Sequence, residues 1–337
     1  GPNASKRLEG EVGDVRQPTV IVTTAATLSR VAARACVPRQ LQALVIDEAH
    51  RAVAGTYEDV WNWASTRERR VGVIGLSATP RRGVNAADGS PSQRSAEETA
   101  RLMRRFVGRI APSPGHVSVD ALQDLEILSR IEFDEPIRSG AKLVDDWESH
   151  IFGNLWEIPE AGLTRLARSA ERNSAIVERV VSLRTEQRTL VFACNVAHAR
   201  QLAAQITLAG HEVGVSLRFA AITGETARGR RRALIERFRQ GDLHGLVNVE
   251  VLTTGFDAPE VNTIVVARPT LSEVLYMQMV GRGLRGPKSG GTAVCRVINV
   301  EDVASFGVEL KYDDYLRAWE SWGRDEASGV ADDCADG

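Results

Sequence analysis

Short runs in which nearly every residue is apolar, and many are β-branched, recur along this chain and are separated by segments of helix length. Thr19–Thr23 reads TVIVT, Leu41–Ile46 reads LQALVI, Val71–Leu76 reads VGVIGL and Thr189–Ala193 reads TLVFA. A strand with one face in water alternates apolar and polar residues, whereas a strand covered on both faces need not. Such strands alternating with helices predict parallel sheets with helices on both sides, so the fold class expected is α/β. Further strands are expected at Gly245–Val249, Thr263–Ala267 and Thr292–Val300. A helix is expected over Ser169–Leu183, and another from an Asn195 N-cap to near Gly210. A third runs from a Thr226 cap to Gln240-Gly241, and Thr270-Leu-Ser-Glu273 fits a capping box opening a fourth.

A length of 337 residues suits about two domains. With 43% hydrophobic and 26% charged residues the chain can bury a core, and disorder throughout is excluded. The net charge of −2 excludes a generally basic coat for nucleic acid, so any such binding must use a local groove. No apolar run reaches the roughly 20 residues of a membrane span. Cys36, Cys194, Cys295 and Cys334 form no CxxC pair, and none of the six histidines pairs with another at metal-ligand spacing. Reduced thiols and a cytoplasmic location are expected. The opening Gly1-Pro2 reads as a protease scar, so the natural start is expected to lie elsewhere. Gly83–Ser95 reads as a loop, and the tail after Ser321 is acidic.

Four segments carry candidate chemistry. Leu44-Val-Ile-Asp47-Glu48-Ala-His50 is an apolar strand ending in two adjacent carboxylates. At the carboxyl end of a parallel strand such side chains face the ligand crevice. One carboxylate can hold Mg²⁺, and the other can orient or deprotonate a water. Gly75-Leu-Ser77-Ala-Thr79-Pro80 sets two hydroxyls at the end of another strand, which alone would be an ordinary turn. In Tyr276–Arg285, helical spacing would set Gln278, Arg282 and Arg285 on one face, where guanidinium groups suit phosphate. Val251–Pro259 offers Thr253, Thr254 and backbone amides for phosphates, and Asp257 for ribose hydroxyls.

In this order the segments resemble the motifs of superfamily 2 DEAD/DEAH-box helicases. Asp47-Glu-Ala-His50 is similar to motif II, Ser77-Ala-Thr79 to motif III and Leu190–His198 to motif IV; Val247–Pro259 resembles motif V and Gln278–Arg285 motif VI. Thr24-Ala-Ala-Thr-Leu28 resembles a motif before motif II, and Ile222–Thr226 a segment of the second domain. The variety is similar to the type I/III restriction-subunit and RadD-like branch, from Thr253–Pro259 and Gln278–Arg285. The resemblance implies two RecA-like domains, with ATP and Mg²⁺ between them and nucleic acid, expected to be double-stranded DNA, across both. The boundaries expected are 1–125 for a partial first domain, 126–170 for a crossover, 171–312 for the second domain and 313–337 for a C-terminal helix and tail.

The resemblance further implies that Asp47 holds Mg²⁺ and Glu48 activates water, with Gln278 near the γ-phosphate. Arg282 and Arg285 act as arginine fingers, Gly255 and Asp257 contact the nucleotide, and His50, Ser77 and Thr79 couple hydrolysis to motion. Thr24, Thr223, Gly224 and Thr254 contact nucleic-acid phosphates, which carry no sequence information.

One departure is large. The phosphate loop GxxxxGK[ST] belongs before motif II, but the only lysines are Lys6, Lys142, Lys288 and Lys311, and none stands in that pattern. Val249 also stands where many relatives have threonine. The expected protein is therefore a helicase or translocase core truncated before the phosphate loop and inactive alone. The alternatives are a split enzyme that receives the loop in trans from a larger complex, or an ATPase-silent nucleic-acid-binding scaffold.

Overall fold

The computed structural model describes residues 20–30, 41–53, 55–65, 71–77, 97, 100–102, 104–106, 119–142, 158–183, 188–249, 260–270 and 273–303. They fall into two compact units, 20–77 with 97–106 and 119–303.

In the first unit, β1 (Ala43–Asp47) and β2 (Gly72–Leu76) run parallel in the register Asp47↔Leu76. Around them lie α1 (Ala25–Leu28), a 3₁₀ turn at Ala49–Arg51 and α2 (Gly55–Ser65). Ala52, Val53 and Leu102 form a small core against Phe106. Trp61 meets Phe106 edge to face at 5.5 Å, while the Arg105 guanidinium lies over the Trp61 ring and pairs with Glu58 at 2.7 Å. One strand face stays open: Val45, Ile74 and Leu76 are each about half exposed. The strand expected over Thr19–Thr23 does not form over the described residues 20–23, and Val20 and Val22 are exposed. β-branched propensity yields a strand only beside a neighbour that completes its ladder, and no described strand pairs with this segment.

In the second unit, seven strands lie parallel: β3 (Arg130–Phe133), β4 (Ile137–Lys142), β5 (Thr189–Phe192), β6 (Phe219–Ile222), β7 (Gly245–Asn248), β8 (Thr263–Val266) and β9 (Val294–Val303). Their order is β3-β9-β8-β5-β7-β6, with β4 beside the second half of β9. Within the segment 126–170 expected as a crossover, 130–142 contributes two strands to this sheet. The long β9 supplies ladder positions for both, which is why two charged, unpromising segments become strands.

The helices are α3 (Val119–Asp124), α4 (Glu160–Arg168), α5 (Ala170–Ser182), α6 (Val196–Glu212), α7 (Arg228–Arg239) and α8 (Glu273–Val280). Leu190 and Phe192 pack into one layer with Phe238 and Ile264, whereas Val191 and Ala193 point the other way onto Ile176, Leu202 and Ile206. Helices on both faces make every position of β5 a core position, so its sequence is continuously apolar. Each such side chain contributes about 1.5–3 kcal/mol of burial. No described helix is long and apolar enough to cross a membrane.

Candidate nucleotide and nucleic-acid site

β1 delivers Asp47 at its carboxyl end, and the chain then turns sharply because Glu48 adopts the left-handed conformation (φ 53°, ψ 48°). Asp47 Oδ1 accepts from the Glu48 amide at 2.9 Å. The turn places His50, buried, with Nδ1 3.2 Å from Ser77 Oγ and 3.3 Å from Glu48 Oε2. The structure therefore brings together Asp47, Glu48, His50 and Ser77; Thr79 lies outside the described residues. Asp47 is exposed, and no group of three or more metal-ligating side chains occurs among the described residues. That donor set fits Mg²⁺, which is usually held by one or two carboxylates while phosphates and waters fill its other positions.

The spacing between β2 and this turn leaves no room for a side chain at Gly75. A Cβ there would lie 2.8 Å from Ala49 Cβ and 2.7 Å from the Phe106 ring. Gly75→Ala is expected to destabilise the first unit by about 1–3 kcal/mol, the usual cost of overpacking, measured by denaturant unfolding. Thr24 is the N-cap of α1, its Oγ1 accepting from Thr27 N at 3.2 Å.

In the second unit the helical-face argument for Gln278, Arg282 and Arg285 is corrected. The α-helix ends at Val280, Gly281–Gly283 form a 3₁₀ turn, and Arg285 sits in a single antiparallel bridge with Leu128. Gly283 packs so tightly that a Cβ would lie 2.3 Å from Cys295 Sγ. Glycines at 281 and 283 weaken an α-helix by about 1 kcal/mol each, so the tighter turn wins. All three side chains are half-buried.

Thr223 is buried and Gly224 exposed. Thr226 does not cap α7, whose N-cap is Ala227; its Oγ1 accepts from Thr223 N at 3.0 Å instead, tightening the Thr223–Thr226 turn. Arg231 donates to Thr223 O at 3.0 Å from below. Thr254, Gly255 and Asp257 lie outside the described residues.

Two buried polar groupings at the carboxyl ends of β5, β8 and β9 were not anticipated. In the first, Arg172 is fully buried and grips Asp302 with two bonds, Nε–Oδ1 2.6 Å and Nη2–Oδ2 3.0 Å. Nη2 also donates to Ala267 O at 2.7 Å, and Ser139 Oγ donates to Asp302 Oδ1 at 3.0 Å. An arginine on the apolar stripe of α5, one turn before Ile176, was the available signal. Cys194 beside it donates to Ala267 O, and burial pushes its thiol up to about 11, which makes it a poor nucleophile.

In the second grouping, His198 Nδ1 accepts from Cys194 N at 3.2 Å, so Nε2 carries the proton and donates to Asn173 Oδ1 at 2.9 Å. Asn173 in turn donates to Ala167 O at 2.8 Å, tying β5, α5 and α4 together. Burial, with the Arg172 charge adding to it, holds the imidazole neutral and lowers its pKa from 6.5 to about 3. The unfolded chain takes up a proton below 6.5 that the folded chain refuses. Stability is therefore unaffected above that pH and falls as the pH drops from 6.5 towards 3. At pH 5 the expected loss from this group is about 2 kcal/mol relative to pH 7. Urea unfolding across pH 5–7 measures it, and His198→Gln flattens the slope.

The first unit thus has an acidic strand end coupled to a second strand through a buried histidine, and the second is a fully parallel α/β unit. The DEAD/DEAH box helicase model matches residues 3–87, and the helicase conserved C-terminal domain model matches residues 171–286. The chain thus carries one region that matches each of the two helicase domain models. It is 27% identical over 304 residues, 88% of its length, to a Saccharomyces cerevisiae protein described as ATP-dependent helicase IRC3, of which it spans 39%. Its Schizosaccharomyces pombe counterpart is spanned to 36%, so the chain covers well under half of these relatives. Among solved structures, a fragment of an HsdR subunit of a type I restriction enzyme from Vibrio vulnificus is similar at TM-score 0.51 and 19% identity, covering 80% of this chain and 50% of that one. The Mycobacterium smegmatis helicase Lhr bound to ssDNA and AMP-PNP is similar at TM-score 0.50 and 19% identity, covering 82% and 30%. These likenesses establish RecA-like folding of the units.

Proposed function

We propose that the protein is the core of an ATP-dependent helicase or translocase that moves along the phosphate backbone of double-stranded DNA. The observation that carries this reading is the cluster at the end of β1, where Glu48, His50 and Ser77 interlock beside the exposed Asp47. Asp47 holds Mg²⁺, which when bound neutralises phosphate charge. Glu48 orients and deprotonates the attacking water. His50 carries the state of Glu48 to Ser77. Arg282 and Arg285 stabilise charge on the transferred phosphoryl group, an effect worth about 10³–10⁵ in related enzymes. Gln278 lies near the γ-phosphate, and Gly255 and Asp257 hold the nucleotide. Thr24, Thr223, Gly224 and Thr254 meet nucleic-acid phosphates; for the buried Thr223 the contact runs through the turn that displays Gly224.

The phosphate-loop lysine comes from polypeptide outside this sequence. ATP hydrolysis, measured with and without duplex DNA, tests the reading. This chain alone is expected to be silent, and addition of the phosphate-loop segment, in cis or as a subunit, is expected to give hydrolysis that duplex DNA stimulates. Hydrolysis by this chain alone would refute the external loop. Lack of stimulation by any nucleic acid would overturn the motor.

A further inference from the structure

The backbone that presents Arg285 is held by a segment that lies 156 residues earlier in the chain. After α3, Glu126 takes a left-handed conformation (φ 57°) and turns the chain so that 126–129 runs beside 284–288. Ser129 N donates to Leu284 O at 3.0 Å, Gly286 N to Ile127 O at 2.9 Å and Lys288 N to Glu126 O at 3.0 Å. The residues on both sides of Arg285 are therefore bonded to this segment. The Ser129 side chain is fully buried, with Oγ 2.7 Å from Arg285 O and 2.6 Å from Thr292 O. Its single proton serves two carbonyls, one of them that of the arginine itself. Gly286 allows the approach, since a Cβ there would lie 2.3 Å from Glu126 O.

We propose that Ser129 is a positioning residue for Arg285, fixing the backbone from which the guanidinium reaches the transferred phosphoryl group. The inference rests on the role given to Arg285 above. An arginine at the end of a 3₁₀ turn has no helix to hold its direction, and a small misplacement of a group that acts in the transition state is costly. A hydroxyl bonded to that residue's own carbonyl adds a side-chain restraint to the main-chain bonds on either side and to that from Thr292 N.

The experiment is steady-state ATP hydrolysis by the complete, phosphate-loop-containing protein with saturating duplex DNA, for Ser129→Ala, Arg285→Ala and the double variant. Thermal unfolding midpoints are measured alongside. Ser129→Ala is expected to lower kcat about 10- to 100-fold with KM for ATP within about twofold. In the Arg285→Ala background the same substitution is expected to cost nothing further, a non-additivity that general loosening of the fold would not produce. Independent, multiplying losses would overturn the proposal, as would a wild-type kcat for Ser129→Ala while Arg285→Ala is defective. Wild-type turnover by Arg285→Ala would instead show that the arginine has no catalytic role, removing the motor assignment of that residue together with the need to position it.

Discussion

Under the proposed function, Glu48→Gln is expected to lower ATP turnover of the complete, phosphate-loop-containing protein by about 10²–10⁴-fold, the range for loss of a general base. The replacement keeps the side chain's length and leaves Asp47 and its bond from the residue-48 amide in place, so nucleotide affinity should change little. What would be lost is the negative oxygen proposed to take the water's proton, together with the charge that faces His50 Nδ1 at 3.3 Å. Steady-state hydrolysis beside binding of a non-hydrolysable nucleotide separates the two effects. Retained turnover would remove Glu48 from the chemistry, and lost binding would make it a ligand instead.

The largest expected effect on stability lies at Arg172. Its partner Asp302 has only 4% of its side chain exposed and, without the guanidinium, would keep only the Ser139 hydroxyl among the bonds described above. Arg172→Ala is expected to cost about 3–5 kcal/mol, because a buried charge left alone is penalised far more than the pair is worth. For a unit of this size that is a fall in unfolding midpoint of about 6–20 °C. Replacing both partners, as in Arg172→Met with Asp302→Leu, is expected to recover most of the loss. Equal damage from the single and double variants would show that the bond to Ala267 O, which joins α5 to the end of β8, matters more than the pair.

How far sequence reached can be seen by comparing α5 with β3 and β4. The helix expected over Ser169–Leu183 is found at Ala170–Ser182, capped by Ser169. Its capping residue and apolar spacing are local signals, and tertiary packing only reinforces them. β5, β7 and β8 were legible because burial on both faces dictates their composition. Among the described strands β3 and β4 pair only with β9, and they carry charged residues, so neither periodicity nor apolar run marks them. Gly140 and a register shift between Arg138 and Lys142 break the second further.

At the site, the residues around Asp47 were readable as a strand end. The geometry at Arg285 was not, because the segment that takes its backbone away from the helix lies far off in sequence. The Arg172–Asp302 pair was hidden for the same reason, 130 residues separating its partners.

The left-handed backbone at Glu48 bears on any effort to make this protein tougher. A residue with a Cβ is held there at a cost of about 1–2 kcal/mol that glycine would escape. Glu48→Gly is therefore expected to raise the unfolding midpoint and, on the proposed role, to abolish turnover. If Glu48 is the proposed base, tension of this kind, kept where a carboxylate is needed, would tie robustness inversely to rate.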